Sequence, residues 1–377
     1  MFDSNVLDSP AVIFDNGSGL CKAGLSDQNY PRSVLSTLIG RPRKLHTMHL
    51  GAQKDFFIGN ESHALRGILT LTCPMQHGVI TNWEDMEKIW THMYNCELGV
   101  CPSERPVLLT EAPLNPLQNR EKMAEVMFEE FKVPAMYVAL QAPLTLYAYG
   151  LLSGIVVDSG DGVTHTACIY NGYNIQYAVS RIDIAGSDIT KYLMNILSES
   201  GFSFMTSAER EIVKSIKEQL CYVALDPEKE MNKNTIETMN EYKLPDGNTI
   251  MIGNQLFRAP EILFTPYLIG MESPGIHQML YSSILKCDID VRRDLLNSIL
   301  LSGGSTLFPG LYERLLQEMK RHAAVGVPVK ILALPDRVCC AWVGASMLAS
   351  LPSFKETWVT VCDYEECGPS IVHKKCF

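Results

Sequence analysis

Short apolar runs alternate with amphipathic segments along the chain, which is the pattern of an α/β protein. Four apolar runs predict buried strands, at residues 11–14, 107–111, 154–157 and 299–301. Residues 119–132 predict a helix with one apolar face, and the sequence Thr-Ser-Ala-Glu at 206–209 predicts a capping box that opens another helix. No low-complexity tract or long linker separates these segments.

Two of the predicted strands end in the same kind of turn. Residues 15–19 read Asp-Asn-Gly-Ser-Gly, and residues 158–162 read Asp-Ser-Gly-Asp-Gly. Glycine-rich turns let backbone N–H groups converge on a phosphate oxygen, and an Asp at a strand end can hold the hydrated cation of a nucleotide. One such turn alone is weak evidence for a nucleotide site. Two in separate halves of the chain predict duplicated half-domains that clamp one nucleotide.

A third glycine turn reads Ser-Gly-Gly-Ser-Thr at residues 302–306, between a predicted strand and a helix that is predicted from about Leu311. A strand, a glycine pair and a helix bring the backbone close to a ligand near a helix N-terminus. Alone, this turn is more often structural than nucleotide-binding. The two preceding turns favour a nucleotide contact here as well.

Length, charge and cysteine content exclude several classes of function. A chain of 377 residues can form two ordinary domains. The net charge of −10 argues against general nucleic-acid binding, which requires clustered Lys and Arg. No apolar run reaches about 18 residues, so no membrane span is predicted, and the N-terminus lacks the features of a signal peptide. The twelve cysteines lack zinc-site spacing and predict reduced thiols of a cytosolic or nuclear protein.

The order of the three turns resembles the ATPase fold shared by actin, hexokinase and heat-shock-70 proteins. Longer motifs resemble the actin family almost residue for residue, at residues 15–24, 109–116, 158–166, 301–304 and 368–373. The match runs nearly end to end, and it implies an α/β actin-like ATPase fold with two duplicated domains around a nucleotide cleft. The opening segment 7–14 resembles the testis-type actin-related proteins, whereas much of the remainder is closer to actin.

The resemblance also implies a division into domains. Residues 1–148 and 340–377 would form the first α/β domain, with a small subdomain inserted at about 37–73. Residues 149–339 would form the second, with a small subdomain inserted at about 185–271.

By the same resemblance, four side chains carry the chemistry of an ATPase. Asp15 and Asp158 would hold a hydrated Mg²⁺ or Ca²⁺ through its water molecules. Gln141 would orient the attacking water, and His165 would complete the water network. Any hydrolysis of ATP to ADP and phosphate should be slow, because neither an arginine finger nor a strong base is apparent.

The resemblance places ATP or ADP among the residues of the three turns and their neighbours, which are Gly17, Ser18, Gly19, Leu20, Lys22, Ser159, Gly160, Asp161, Gly162, Val163, Lys217, Glu218, Gly303, Gly304, Ser305 and Phe308. Val338 stands where actin has a lysine near the adenosine, which predicts ATP binding that is weaker by several-fold. Pro143 stands in the helix that links the two halves. It predicts a distorted hinge unless it falls in the first helical turn.

The surfaces that join actin subunits are partly retained. The loop at 48–55 matches at its Gln-Lys-Asp end but differs at Leu50 and Gly51. The receiving groove keeps Tyr147, Gly150, Gly172 and Tyr173, with Leu152 in place of a threonine, and the apolar plug keeps Tyr267, Leu268, Ile269 and Met271. Few acidic residues open the chain, so weak myosin binding is expected.

Two functions remain open at this point. The first is an ATP-binding, slowly hydrolysing protein of the cytoplasm and cytoskeleton, with a nuclear pool allowed. It would form filaments with itself or with actin and bind actin-binding proteins. The second is a non-polymerising structural subunit that keeps ATP as a structural ligand in a larger, sperm-associated assembly. A sugar kinase on the same fold is disfavoured by the near-complete match to actin.

Overall fold

Two large sheets, each built around a β-hairpin, carry the three glycine turns at their edges. The computed structural model describes residues 4–43, 54–233 and 239–376. The tip of the loop expected at 48–55 therefore lies outside the described residues. The strands are β1 (Val12–Asn16), β2 (Leu20–Leu25), β3 (Ser33–Ser36), β4 (Ile39–Pro42), β5 (Phe57–Ile58), β6 (Leu69–Thr72), β7 (Met75–Gln76), β8 (Val79–Ile80), β9 (Val107–Glu111), β10 (Ala135–Leu140), β11 (Gly154–Ser159), β12 (Thr164–Tyr170), β13 (Tyr173–Asn174), β14 (Ser180–Ile182), β15 (Asn240–Lys243), β16 (Thr249–Ile252), β17 (Ile299–Ser302), β18 (Ile331–Leu332) and β19 (Val359–Thr360).

Helices connect most of these strands. They are α1 (Gly59–Ala64), α2 (Trp83–His92), α3 (Leu117–Glu125), α4 (Gln141–Ala148), α5 (Gly186–Glu199), α6 (Ser207–Leu220), α7 (Pro227–Met231), α8 (Gln255–Arg258), α9 (Ile276–Lys286), α10 (Ile289–Leu296), α11 (Leu311–His322), α12 (Cys340–Ala349), α13 (Val361–Cys367) and α14 (Val372–Lys375). Helix α3 begins two residues earlier than predicted and continues into a π-helical turn at Val126–Glu130. The capping box of α6 is confirmed, because Thr206 and Glu209 each accept a hydrogen bond from the other's backbone N–H.

The two large sheets repeat one arrangement. The first has the order β19-β10-β9-β1-β2-β3, in which β1 and β2 form an antiparallel hairpin and β9 runs parallel to β1. The second has the order β13-β12-β11-β17-β18, with β14 also on β12, and there β11 and β12 form the hairpin while β17 runs parallel to β11. The expected α/β fold with duplicated halves is confirmed by this repeat.

The central strands are buried because helices cover both faces of each sheet. All residues of β1, β9 and β11 are buried, and their apolar side chains belong to the hydrophobic clusters around the two sheets. Continuous burial is typical of sheets covered on both sides, and it explains why these strands read as unbroken apolar runs.

Three small sheets stand apart from the large ones. Strands β5, β4 and β6 form the first, strands β15 and β16 form the second, and strands β7 and β8 form the third. The first two fall within the ranges expected for the two inserted subdomains. The boundaries of the domains themselves stay a prediction.

Helices α4 and α12 pack against each other between the two large sheets. The helices approach so closely that a Cβ atom on Gly344 would lie 1.8 Å from the carbonyl oxygen of Leu144. Pro143 is the third residue of α4, so it lies in the first turn, where a backbone N–H has no acceptor within the helix. A distorted hinge was expected only if Pro143 lay beyond the first helical turn. Because Pro143 lies within that turn, α4 is not broken.

Candidate functional site

A cleft between the two large sheets contains a cavity of about 440 Å³. The turns that follow β1, β11 and β17 form much of its wall. The first two turns touch, since a Cβ atom on Gly19 would lie 2.8 Å from the Cβ of Asp161, and one on Gly162 would lie 2.3 Å from Ser18 Oγ. A Cβ atom at either position would therefore collide with a side chain of the opposite turn, so a larger residue at Gly19 or Gly162 would force the two turns to shift.

Asp15 lies at the end of β1 with three polar contacts around its buried carboxylate. Lys22 Nζ lies 2.6 Å from Oδ2, while Thr110 Oγ1 at 2.6 Å and Gln141 Nε2 at 3.2 Å donate to Oδ1. Lys22 reaches Asp15 because the two residues face each other across the β1–β2 hairpin. Burial raises the pKa of Asp15, but the charge of Lys22 and the hydrogen bonds outweigh it, so the pKa is lowered and the carboxylate is charged.

Asp158 occupies the same place in the second sheet, at the end of β11. Its Oδ2 accepts a hydrogen bond of 2.7 Å from Ser302 Oγ on the neighbouring parallel strand. Ser302 in turn accepts from Thr145 Oγ1 on α4 at 3.4 Å. Each carboxylate is thus held by a hydroxyl from the adjacent strand, and both line the same cavity.

His165 faces Asp158 across the β11–β12 hairpin and also lines the cavity. It is only 1% exposed, and neither ring nitrogen has a hydrogen-bond partner among the described residues. Burial lowers its pKa, against the opposing charge of Asp158, so the ring is neutral. Because buried polar groups are nearly always paired, these two nitrogens indicate a water molecule or ligand in the cavity.

Lys217, on α6, is a buried cation on the same cavity. Its Nζ donates to the carbonyl of Gly186 at 2.8 Å. Burial lowers the pKa of Lys217, partly offset by the nearby charges of Asp161 and Glu218. The cavity wall also contains the apolar side chains of Leu307, Phe308, Pro309 and Val338.

The third turn packs directly against the second. Gly303 has a φ of +86°, and a Cβ atom there would lie 2.3 Å from the carbonyl oxygen of Ser159. Ser305 Oγ donates to the carbonyl of Gly160 at 2.6 Å. The helix that follows begins at Leu311, as predicted, and a 3₁₀ turn at Gly304–Leu307 lies between Gly303 and that helix.

Contacts at the mouth of the cleft join its two sides. Arg181, on β14, donates to the carbonyl of His77 at 2.6 Å and to Asn115 Oδ1 at 2.7 Å. His77 Nδ1 lies 2.8 Å from the carbonyl oxygen of Gly162 in the second turn. These bonds hold loops of the first sheet against the second sheet.

The structure gathers nearly all the residues predicted for the site. Of those named above, Ser159 alone does not line the cavity, because it is fully buried and its Oγ pairs with Thr164 Oγ1 at 2.8 Å. Sequence reasoning missed further lining residues: Asn16, Gly78, Ala112, Lys214, Ser302, Leu307, Pro309 and Ala341. It also missed Thr110, which donates a hydrogen bond to Asp15. A hydroxyl near the end of a predicted buried strand could have indicated such a role.

A family model for actin matches residues 6–377. The chain belongs to the actin family. Family members are cytoskeletal proteins that bind ATP or ADP with a divalent cation, and the cavity between the two repeated sheets agrees with that general description. Membership in the testis-type branch stays a prediction.

The donor set fits the way in which the actin family is expected to hold a cation. No group of three or more His, Cys, Asp or Glu side chains among the described residues could hold a metal ion by itself. Asp15 and Asp158 present carboxylate oxygens on opposite sides of one cavity. Two such carboxylates fit a hydrated cation that takes its remaining ligands from water and phosphate.

Several residues expected on actin-type contact surfaces are exposed. Tyr267 and Tyr173 are each 80% exposed, and Leu152 is 63% exposed. Their apolar side chains therefore do not serve core packing. No helix in the described part of the chain is long and apolar enough to cross a membrane.

Proposed function

We propose that this actin-family chain binds ATP, hydrolyses it slowly, and forms or joins actin-like filaments. The observation that carries the proposal is the buried, unpaired imidazole of His165, which lines one cavity together with Asp15, Asp158 and Gln141. A water molecule or a bound ligand in the cavity would satisfy both ring nitrogens, which have no partner among the described residues.

The three turns account for nucleotide binding. Backbone N–H groups of residues 18–20 would bind the β-phosphate, and those of residues 160–162 the γ-phosphate, because the two turns meet across the cleft. Lys22 adds a positive charge beside the first turn. When bound, Mg²⁺ or Ca²⁺ would neutralise phosphate charge, with its water ligands held by Asp15 and Asp158.

The base and ribose would lie at the other end of the cavity. Lys217 and Glu218 supply polar contacts there, and Gly303, Gly304, Ser305 and Phe308 supply the close backbone and an aromatic face. Val338 contributes only an apolar contact at this end. We expect ATP binding that is weaker by several-fold than a lysine at this position would give.

Hydrolysis would depend on orientation of a water molecule. The amide nitrogen of Gln141 donates to Asp15, which leaves the amide oxygen as the end that can accept from water. Neutral His165 can accept from, and donate to, the same water network. Since neither group is a strong base, the reaction is slow and the contribution of these residues is geometric.

The proposed partners are other copies of the chain, actin, and actin-binding proteins. Tyr267 and Tyr173 stand exposed where the actin resemblance places subunit contacts. The domain boundaries at 148, 149, 339 and 340 are part of the same proposal, since α4 and α12 link the two large sheets.

Substitution of Gln141 tests the catalytic part. Gln141→Ala should lower the single-turnover rate of phosphate release by about tenfold while leaving ATP affinity nearly unchanged, because its role is orientation. Gln118→Ala, on the exposed surface of α3, is the matched control and should behave as wild type. Equal rates in all three proteins would reject the assignment. Tight ATP binding without any phosphate release would support the structural subunit instead.

A further inference from the structure

Three polar residues follow one another at four-residue intervals along α4: Gln141, Thr145 and Tyr149. Tyr149 directly follows the last residue of the helix. Four residues make about one helical turn and a rise of about 6 Å, so the three side chains form one stripe about 12 Å long. Thr145 is fully buried, and the function proposed above gives no role to it or to Tyr149.

The stripe runs from the first large sheet to the second. At one end, Gln141 Nε2 donates to Asp15 Oδ1 at 3.2 Å. At the other end, Tyr149 Oη donates to the carbonyl of Leu301 on β17 at 2.7 Å and accepts from Leu334 N at 2.9 Å. One helix is therefore bonded to the carboxylate of the first half and to the backbone of the second half.

Thr145 lies between these two attachments and reaches the carboxylate of the second half through one hydroxyl. Thr145 Oγ1 donates to Ser302 Oγ at 3.4 Å, and Ser302 Oγ donates to Asp158 Oδ2 at 2.7 Å. A carboxylate can only accept, so the single hydroxyl proton of Ser302 goes to Asp158 and Thr145 must be the donor of the other bond. Asp158 is thus connected to α4, as Asp15 is through Gln141.

The register of α4 against β17 controls the Thr145 bond. A distance of 3.4 Å is long for two hydroxyls, so a small slide of the helix along the strand would break the bond. Tyr149 opposes such a slide, because its acceptor is the carbonyl of Leu301, the residue immediately before Ser302. The attachment of Tyr149 therefore keeps Thr145 opposite Ser302.

We propose that α4 sets the spacing of the two carboxylates, and that Thr145 is a positioning residue for the divalent cation expected between them. The inference rests on the function proposed above, because it concerns how tightly that cation is held. The bond from Thr145 orients the Ser302 hydroxyl toward Asp158 and strengthens the bond that Ser302 donates. Without it, Asp158 alone holds Ser302, and the carboxylate is free to turn.

The consequence should differ between two cations. Mg²⁺ requires nearly ideal octahedral geometry at about 2.0–2.1 Å, whereas Ca²⁺ accepts variable geometry at about 2.3–2.6 Å. Carboxylates at a fixed spacing favour Mg²⁺, because its water ligands must be placed accurately. Loss of the Thr145 bond should therefore weaken the retention of both cations and lower the preference for Mg²⁺ over Ca²⁺.

The test measures cation release from the ATP-bound, full-length chain. Protein loaded with Ca²⁺ is mixed with an excess of a fluorescent calcium chelator, which gives the release rate, and displacement of Ca²⁺ by added Mg²⁺ gives the preference. Thr145→Val keeps the shape of the side chain without its hydroxyl, and it should release Ca²⁺ about fivefold faster. Its preference for Mg²⁺ should be lower than that of wild type. Thr145→Ser retains a hydroxyl and should restore both values.

Thr166→Val is the matched control. Thr166 is equally buried in the second large sheet, and its Oγ1 lies 2.8 Å from Ser283 Oγ, so this substitution also breaks a pair of buried hydroxyls. Thr166 does not line the cavity between the sheets. Cation release from this variant should stay at the wild-type rate.

Two further variants test whether the effect passes along the stripe and through Ser302. In a Ser302→Ala background, Thr145→Val should change cation release little further, because the hydroxyl on which it acts is gone. Tyr149→Phe loses both bonds to the second sheet and should also speed release. If Thr145→Val does not fold, Tyr149→Phe decides the question, and an unchanged release rate in it would reject the proposal.

The outcomes separate this inference from the function on which it rests. Release from Thr145→Val at the wild-type rate, or equal acceleration in Thr166→Val, would overturn the role of Thr145 and leave the proposed function intact. A full effect of Thr145→Val in the Ser302→Ala background would also overturn it. A wild-type protein that holds neither cation together with ATP would refute the proposed function itself, and this inference would fail with it.

Discussion

At the scale of single residues, a buried polar group without a partner has one of two consequences. It lines a cavity where water or a ligand can bind it, or it lies in the core and lowers the stability of the fold. His165 and Tyr94 are each 1% exposed, and neither has a partner for its polar atoms among the described residues. His165 lines the cavity between the two large sheets, where a ligand or water can satisfy it. Tyr94 lies instead in the core of the first sheet, against the rings of Phe14 and Phe131.

Tyr94→Phe is expected to stabilise the protein. The substitution removes a buried hydroxyl that lacks a partner and keeps the ring contacts, so the free energy of unfolding should rise by about 1 kcal/mol. Denaturant unfolding measures this change. Tyr149→Phe is the matched control, because Tyr149 Oη donates to the carbonyl of Leu301 at 2.7 Å and accepts from Leu334 N at 2.9 Å. That variant should be destabilised, and the same sign in both proteins would contradict the argument.

His165 should make stability depend on pH. Burial lowers its pKa in the folded protein, so below the unfolded pKa of about 6.5 the unfolded chain binds a proton that the folded chain does not. The free energy of unfolding should therefore fall as the pH drops below that value. In His165→Gln this part of the slope should disappear. A comparison at about pH 8, where the histidine is neutral in both states, isolates the packing effect of the substitution, and parallel pH curves would reject the assignment.

At the scale of elements, the sequence predicted the interior of the sheets better than their connections. Unbroken apolar runs identified β1, β9, β11 and β17 because these strands are buried on both faces. The π-helical end of α3 and the 3₁₀ turn before α11 were not predicted. Such turns depend on how neighbouring elements pack, and the local sequence carries no periodic signal for them.

The crossing of α4 and α12 depends on Gly344. A Cβ atom there would clash with the carbonyl oxygen of Leu144, so Gly344→Ala must separate the helices and should cost about 1–3 kcal/mol of stability. Gly67→Ala is the control, since nothing lies within 4 Å of a Cβ atom at that position. Urea unfolding compares the two variants. Equal stability would show that the helices can yield without cost.

Pro143 should be neutral where it stands. It lies in the first turn of α4, where no hydrogen bond within the helix is lost, so Pro143→Ala should change stability by less than about 1 kcal/mol and leave phosphate release unaltered. Ala148→Pro places proline at the last residue of the same helix and should cost about 3 kcal/mol. A large effect of Pro143→Ala on phosphate release would restore the idea of an altered hinge.

At the scale of the whole molecule, the sequence predicted which residues form the site but not how they are held. The turns at 15–19 and 158–162 were recognisable because glycine and aspartate recur there at fixed spacing. The hydroxyls of Thr110 and Ser302 that orient the two carboxylates come from neighbouring strands. Strand neighbours are set by sheet topology, which a sequence pattern leaves open.

Duplication accounts for the position of the cleft. Each half contributes a hairpin, a turn and a carboxylate, and the turns meet between the two sheets. The two halves are joined through α4 and α12 and through the bonds of Arg181 at the mouth of the cleft. A nucleotide bound there would contact both halves, so nucleotide state and assembly should be linked.

The most direct test of the central claim is phosphate release measured together with sedimentation after Mg²⁺, salt and ATP are added to the purified protein. An actin-like filament ATPase should pellet and release phosphate slowly in the same sample. Tightly bound nucleotide with neither pelleting nor phosphate release would contradict the account. Gln141 and His165 would then be inherited parts of a structural subunit that uses ATP to hold its fold.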